Sequence, residues 1–203
     1  MKILYTSRTH SQLKQVKNFI GKKKVVKELK STCYEPSQII IGSRDQMCVN
    51  EDIRKKNLRG VALSDECAIK CKSKSNKIRC KYFCNAKSEI DFRERGIMDL
   101  EEIVSSVKSH CSCPYYYSKR QVNTSHIVFM PYNYITDEDI RLTLVTKVRD
   151  ENGEVISDSI LDDNILIFDE AHNIEKSAED GASFSLSIED LYAFNKDVTS
   201  IES

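Results

Sequence analysis

The chain has 203 residues, 40% of them apolar, with 31 basic and 31 acidic side chains and a formal net charge of zero. That is enough apolar material for one domain, or one domain with an insertion, and it excludes a disordered polyelectrolyte. No run of eighteen apolar residues occurs, and Met1-Lys2-Ile3-Leu4-Tyr5 passes directly into polar residues, so the expectation is an intracellular chain with neither a membrane span nor a secretory leader.

Lys2-Ile3-Leu4-Tyr5 reads as a short buried strand, followed by the polar stretch Thr6-Ser7-Arg8-Thr9-His10-Ser11. Leu13, Val16 and Ile20 then recur at helical spacing, with Gly21 placed to cap the end. Between Lys14 and Lys30 seven lysines face the single Glu28. Gln38-Ile39-Ile40-Ile41 predicts a second strand, ending in Gly42-Ser43-Arg44. From Arg54 to Lys81 ten basic residues face two acidic ones. Each basic run is either solvated helix surface or a phosphate-contacting surface. Leu100, Ile103, Val104 and Val107 line one face of a helix, and Asp99 with Glu102 three residues on has the form of a capping box. Ser125-His126-Ile127-Val128-Phe129-Met130 is a third buried strand, ended by Pro131. Asp137 to Asp163 reads as a helix and an exposed loop with a turn at Glu151-Asn152-Gly153. From Asp137 to Ser203 five basic residues oppose eighteen acidic ones, which argues against nucleic acid on that part. The tail, with Phe184, Leu186, Ile188, Leu191 and Phe194, reads as the opening of another element. Strands and helices of an α/β type therefore bracket a middle of different character.

That middle is rich in thiols. Of eight cysteines, Cys33 stands apart, while Cys48, Cys67, Cys71, Cys80, Cys84, Cys111 and Cys113 fall within one segment. In a chain expected to be intracellular, such a density points to metal or redox chemistry before disulfides. Thiolates are soft ligands that select zinc or iron–sulfur species, and the spacing alone leaves both open. Free buried thiols are a third reading for some of them. Eight thiols cannot all serve one four-ligand site. The segment is too polar to bury much apolar surface, so ligation would supply a large part of its folding free energy.

Ile165-Leu166-Ile167-Phe168 suits a strand buried on both faces of a parallel sheet, and ligands of such sheets bind beyond the carboxyl ends of strands. Asp169 at that end can hold Mg²⁺ through its water shell while the metal bridges two phosphates, and Glu170 can accept a proton from the attacking water. The plain alternative is a strand ending in an acidic turn. No G-x-x-x-x-G-K-[ST] sequence occurs, so a glycine-rich phosphate cradle is absent from these residues.

Five stretches taken together carry a resemblance: Tyr5-Thr6-Ser7-Arg8-Thr9-His10-Ser11-Gln12, Gly42-Ser43-Arg44-Asp45-Gln46-Met47-Cys48-Val49-Asn50, Cys113-Pro114-Tyr115-Tyr116, Met130-Pro131-Tyr132-Asn133-Tyr134 and Asp169-Glu170-Ala171-His172. In content and order they resemble the XPD-like branch of superfamily 2 DNA helicases, with a DEAH box at Asp169 to His172, from Lys2 to about Leu186. The Cys48-Val49-Asn50-Glu51-Asp52 context leans toward the chromosome-cohesion members, and the Met130 to Tyr134 stretch toward the telomere-maintenance members.

The resemblance implies an α/β fold: a partial RecA-like motor domain with a parallel sheet, interrupted by a small, mainly helical iron–sulfur insertion. The implied boundaries are 1–47 for the first part of the motor domain, 48–118 for the iron–sulfur domain, 119–180 for the continuation with the DEAH box and 181–203 for the start of an Arch-like region. It implies a [4Fe-4S] cluster on Cys48, Cys67, Cys80 and Cys113, with Cys71 close enough to compete with Cys67, and no such role for Cys33, Cys84 or Cys111. Thr6, Ser7, Arg8 and Thr9 would contact the translocated single strand, with Gln12 in the supporting helix and Arg44 anchoring the entrance to the insertion. Tyr132 and Tyr134 would be core, DNA-facing, or one of each. His172 would couple nucleotide to DNA, and His10 gains a role through its motif. His110 is a weak fifth ligand candidate, and His126 is structural. The implied activity is ATP-dependent 5′-3′ unwinding with Mg²⁺ and ATP, on single-stranded and forked DNA, in repair or genome maintenance in the nucleus, with no membrane partner. Without a P-loop and a second motor domain, this chain alone is expected to bind nucleotide poorly and not to unwind DNA. The alternative is a stand-alone iron–sulfur or zinc-stabilised nucleic-acid-binding module without ATPase activity.

Overall fold

Short apolar runs become parallel strands. In the computed structural model, which describes residues 1–20, 36–75, 77–85, 90, 98–144, 148–149, 155–157, 160–184 and 187–201, these are β1 (Ile3–Ser7), β2 (Gln38–Ile40) and β3 (Ile127–Pro131). A two-stranded antiparallel hairpin of β4 (Val148–Arg149) and β5 (Val155–Ser157) precedes β6 (Ile165–Phe168). The sheet order is β2-β3-β1-β6, all parallel, with Leu4 beside both Val128 and Leu166. Leu4, Val128, Phe129 and Met130 are buried at its centre with Ile39 to Ile41. Gly21, Lys22 to Lys30, Cys33, the Glu151-Asn152-Gly153 turn and Leu186 lie outside the described residues.

Two expectations change. The strand before the DEAH box is not buried on both faces: β6 pairs with β1 alone among the described residues, so Ile165 and Ile167 remain 43% and 39% exposed on an uncovered face. The segment after Asp137 is a helix, as expected, and part of the expected exposed loop is paired as strands β4 and β5.

Helix α1 (His10–Ile20) follows β1 and buries Leu13 completely. The insertion leaves after β2 through α2 (Arg44–Met47), α3 (Glu51–Arg54), α4 (Gly60–Lys72) and α5 (Lys81–Cys84). It returns through α6 (Leu100–Ser109) and α7 (Pro114–Gln121). The capping box of α6 is real: Glu102 N donates to Asp99 Oδ1 at 2.9 Å and Asp99 N to Glu102 Oε2 at 2.6 Å. These bonds satisfy helix-end donors that would otherwise lack partners. Ile103 and Val107 from this helix enter the main core. Lys14, the first residue of the first basic run, lies 3.4 Å from Asp99 and 3.3 Å from Glu101, so it joins α1 to α6. Pro114 opens α7, where a missing N–H costs nothing.

Beyond β3 come α8 (Asn133–Thr136) and α9 (Glu138–Leu142), and beyond β6 a 3₁₀ turn (Ala171–Asn173), α10 (Ile174–Ala182) and α11 (Ile188–Ile201). The tail element opened by Ile188 is thus a helix, with Ile188, Leu191, Tyr192 and Phe194 exposed. Among the described residues no helix is long and apolar enough to cross a membrane.

Replacing Asp99 with Ala should lower the unfolding free energy by about 1 kcal/mol through loss of the cap. Leu4→Ala, at the fully buried centre of β1, should cost about 2–5 kcal/mol. Urea denaturation of both variants checks the order, which would be wrong if Asp99→Ala were the more damaging.

Candidate functional site

Parallel pairing makes the carboxyl ends of β1, β3 and β6 coincide at one edge, where ligands of open α/β sheets bind. Asp169 N donates to Thr6 O at 2.9 Å and Tyr132 N donates to Ser7 O at 3.1 Å, so the residue after each strand flanking β1 is fastened to β1. The Tyr132 hydroxyl also donates to the Asp169 carbonyl. Ser7 Oγ lies 2.9 Å from Gln12 Oε1 and 3.3 Å from Asp169 Oδ2, two acceptors for its single proton. Gln12 Oε1 also accepts from Thr9 N and Thr9 Oγ1, both at 3.1 Å, so Gln12 supports the turn in the expected way.

The four residues expected on a nucleic-acid strand divide. Thr6 and Ser7 belong to β1 and are fully buried, with Thr6 Oγ1 donating to Ile167 O at 3.0 Å. Their hydroxyls are turned to protein partners at the root of this turn. Arg8 and Thr9 are exposed beyond the strand end. Tyr132 and Tyr134 are both buried, the latter donating to Gly42 O at 3.0 Å, so both are core residues.

Glu170 has φ 56° and ψ 47°, a left-handed conformation that costs an L-residue about 1–2 kcal/mol. Strain of this kind concentrates at functional sites. Its carboxylate is half exposed, with Oε2 at 3.6 Å from His172 Nδ1. Asn173, which carries no motif signal in the sequence, connects the group. Its Nδ2 donates to Glu170 O at 3.2 Å and lies 2.9 Å from His172 Nε2, while its Oδ1 accepts from Arg8 Nη1 at 3.3 Å. An amide donating to Nε2 leaves the neutral ring's proton on Nδ1, facing Glu170. Arg8, Tyr132, Asn133, Asn173, Lys176 and Asp180 line a recess at this edge.

A second site lies in the insertion. Cys48 after α2, Cys67 and Cys71 from α4, Cys80 before α5 and Cys113 before α7 all line one pocket, with Arg44, Asn50, Tyr115 and Tyr116. Cys84, Cys111 and His110 are exposed and do not line it. Asn50 was not anticipated: its Oδ1 caps α3 while its Nδ2 donates to Cys80 Sγ at 3.2 Å. Arg44, expected to anchor the entrance, lies with its guanidinium carbon 4.3 Å from the Tyr115 ring centre. Its Nε is buried without a partner among the described residues. Burial pushes the Cys113 thiol up to about 12 and raises Cys48 as well. Cys67 is drawn down to about 6, first by the hydrogen bond from Cys71 and then by Arg44, and Cys71 is raised by its thiolate neighbour.

These shifts describe the donor set. An apolar pocket disfavours several thiolates unless a bound cationic centre compensates them. Cys48, Cys67 or Cys71, Cys80 and Cys113 could hold such a centre. Among the described residues no three His, Cys, Asp or Glu side chains converge closely enough for a single ion. Soft thiolate donors of this kind suit zinc or an iron–sulfur centre.

The geometry defines a partial RecA-like motor domain carrying a helical insertion. Two solved structures share the fold over 88% of this chain at 17% identity: an XPD helicase, with TM-score 0.51 and 26% of that chain covered, and a truncated XPD, with TM-score 0.52 and 42% covered. Residues 5–191 match the DEAD_2 family model, and the chain belongs to that family, within the XPD-like superfamily 2 DNA helicases. The regulator of telomere elongation helicase 1 of Pongo abelii is 35% identical over 192 residues, and its Arabidopsis thaliana homolog 37% over 187. These alignments cover 94% and 91% of this chain but only 13% and 16% of the relatives' lengths.

Glu170→Gly should leave the unfolding free energy unchanged or raise it by up to about 1 kcal/mol, because relief of the left-handed strain offsets the added chain entropy. Glu170→Val should lower it. Denaturation curves showing glycine the worse substitution would contradict the strain assignment.

Proposed function

We propose that this chain is part of an ATP-dependent 5′-3′ DNA helicase that moves along single-stranded DNA and opens forked duplexes in repair or genome maintenance in the nucleus. The observation that carries the reading is Asn173, one amide bonded to the DEAH segment on one side and to Arg8 on the other. In this reading Asp169 holds Mg²⁺ with ATP through its water shell and Glu170 takes the proton of the attacking water. His172 couples that centre to Arg8 and Thr9, which contact the single strand. The phosphate cradle comes from residues outside this sequence, so the chain alone turns over no ATP. The boundaries 1–47, 48–118, 119–180 and 181–203 divide it into motor, iron–sulfur, motor and Arch-like parts. The names of the telomere elongation helicases support a nuclear location.

The insertion holds a [4Fe-4S] cluster on Cys48, Cys67, Cys80 and Cys113. When bound, the cluster supplies the positive charge that keeps four buried thiolates ionised and staples the insertion together. Asn50 steadies Cys80 by its N–H···S bond, and Arg44 offsets residual negative charge. Arg54, Lys55, Lys56, Lys72, Lys74, Lys77, Arg79 and Lys81 are exposed on this insertion. They suit contacts to the nucleic-acid backbone without base readout.

Anaerobically purified chain should carry about four irons. Cys80→Ser should lose them and weaken binding to labelled single-stranded DNA in fluorescence anisotropy. Stoichiometric zinc, or an iron-free folded protein with undiminished DNA affinity, would refute the cluster. In the P-loop-containing enzyme, Glu170→Gln should abolish ATP turnover while retaining nucleotide binding; normal turnover removes Glu170 from the base role. Replacing Lys77 and Arg79 together with Ala should reduce the slope of log affinity against log salt by about 1.4, on the order of 0.7 per lost phosphate contact. An unchanged slope would place the DNA path elsewhere.

A further inference from the structure

We infer that Cys67 and Cys71 are interchangeable ligands for one position of the metal centre, so that the pocket supplies five thiols for four sites. This deepens the proposed function and rests on its reading of the thiol pocket as a metal centre. The two residues are four apart in α4, which places them one above the other on the same helix face. Their Sγ atoms are 3.8 Å apart and both line the pocket. Tyr116 lines the same pocket and packs against the same small cluster, so both sulfurs share one neighbourhood. A χ1 change between staggered wells moves a cysteine sulfur by about 3 Å, comparable to their separation. Either sulfur can therefore be brought within bonding reach of one metal position between them while the helix stays in place.

No similar reserve exists for the other three positions among the described residues. Cys48, Cys80 and Cys113 come from separate segments, and the thiols nearest to Cys80 and Cys113 in sequence, Cys84 and Cys111, are exposed and outside the pocket. The exchange is balanced: the incoming sulfur forms its bond to the metal as the departing one breaks, and the incoming thiol's proton passes to the departing thiolate. No electrons move.

The test compares the anaerobically purified 203-residue chain with Cys67→Ser, Cys71→Ser, the double variant and Cys80→Ser, reading iron and sulfide per chain. Each single variant at Cys67 or Cys71 should keep the wild-type stoichiometry, and the double variant should lose the metal as fully as Cys80→Ser. Alkylation of the native metal-loaded proteins with iodoacetamide, mapped by mass spectrometry, gives a second readout that reports which thiol is ligated. Cys71 should be labelled in the wild type and protected in Cys67→Ser. An iron-poor single variant beside an iron-loaded wild type overturns the inference, as does equal labelling of Cys71 in the wild type and Cys67→Ser. An iron-free wild type removes the metal centre itself, a distinct result that takes this inference with it.

Discussion

The position of β1 between β3 and β6 constrains everything else at the motor edge. A parallel strand bonds to both neighbours along its length, so the register that places Leu4 beside Val128 and Leu166 also fixes the residues just past the strand ends. Ser7 ends level with Pro131, and Asp169 begins where β1 still offers the Thr6 carbonyl. A one-residue slip would move Asp169 off that carbonyl and exchange the buried and solvent-facing sides of the strand. Asp169, Glu170 and the exposed Arg8–Thr9 turn are therefore neighbours because of strand pairing, although more than 150 residues separate them in sequence.

The insertion obeys a different rule. Its own apolar cluster is small, consisting of Ile53, Leu63 and Cys67 with Cys48, Leu58, Cys71 and Tyr116 packed against it. Cys80, Tyr82 and Cys113 instead extend the main core. Sulfur thus occupies the boundary between two apolar clusters, where ionised thiolates are costly without a cation. Arg44 contributes one positive charge there, and its contact with the Tyr115 ring fixes it at the point where β2 gives way to the insertion. The same residue links the chain's entry into the insertion to the electrostatics of its centre.

Local sequence made the strands, α1, α6 and the Asp99–Glu102 capping box legible, because each depends on residues within a few positions. The position of Asp169 just past a strand end and of Cys80 in the thiol-rich insertion was legible through context. The sheet order was not, since it depends on pairings between distant segments. The burial of Thr6 and Ser7 was hidden for a related reason: hydroxyl residues continue a strand when acceptors such as Ile167 O and Gln12 Oε1 await them, and those acceptors arrive through tertiary structure. The exposed face of β6 escaped the apolar run, which gives no count of the strand's neighbours. Asn173 carried no signal beyond its place after a histidine, because the bond that joins its local partners to a distant segment, the one to Arg8, exists only once the fold assembles it.

Those three bonds give the edge a short route for coupling. The Asn173 amide offers two N–H groups and one carbonyl; the N–H side meets Glu170 O and His172 Nε2, and the carbonyl meets Arg8. If His172 turns away, one amide hydrogen is left to water, or the planar group rotates toward another acceptor. Rotation carries Oδ1 away from the Arg8 guanidinium. A change at the left-handed Glu170 acts on the same plane through its carbonyl. The Asp169–His172 segment and Arg8 are then linked by one amide, with no chain of intermediate residues between them.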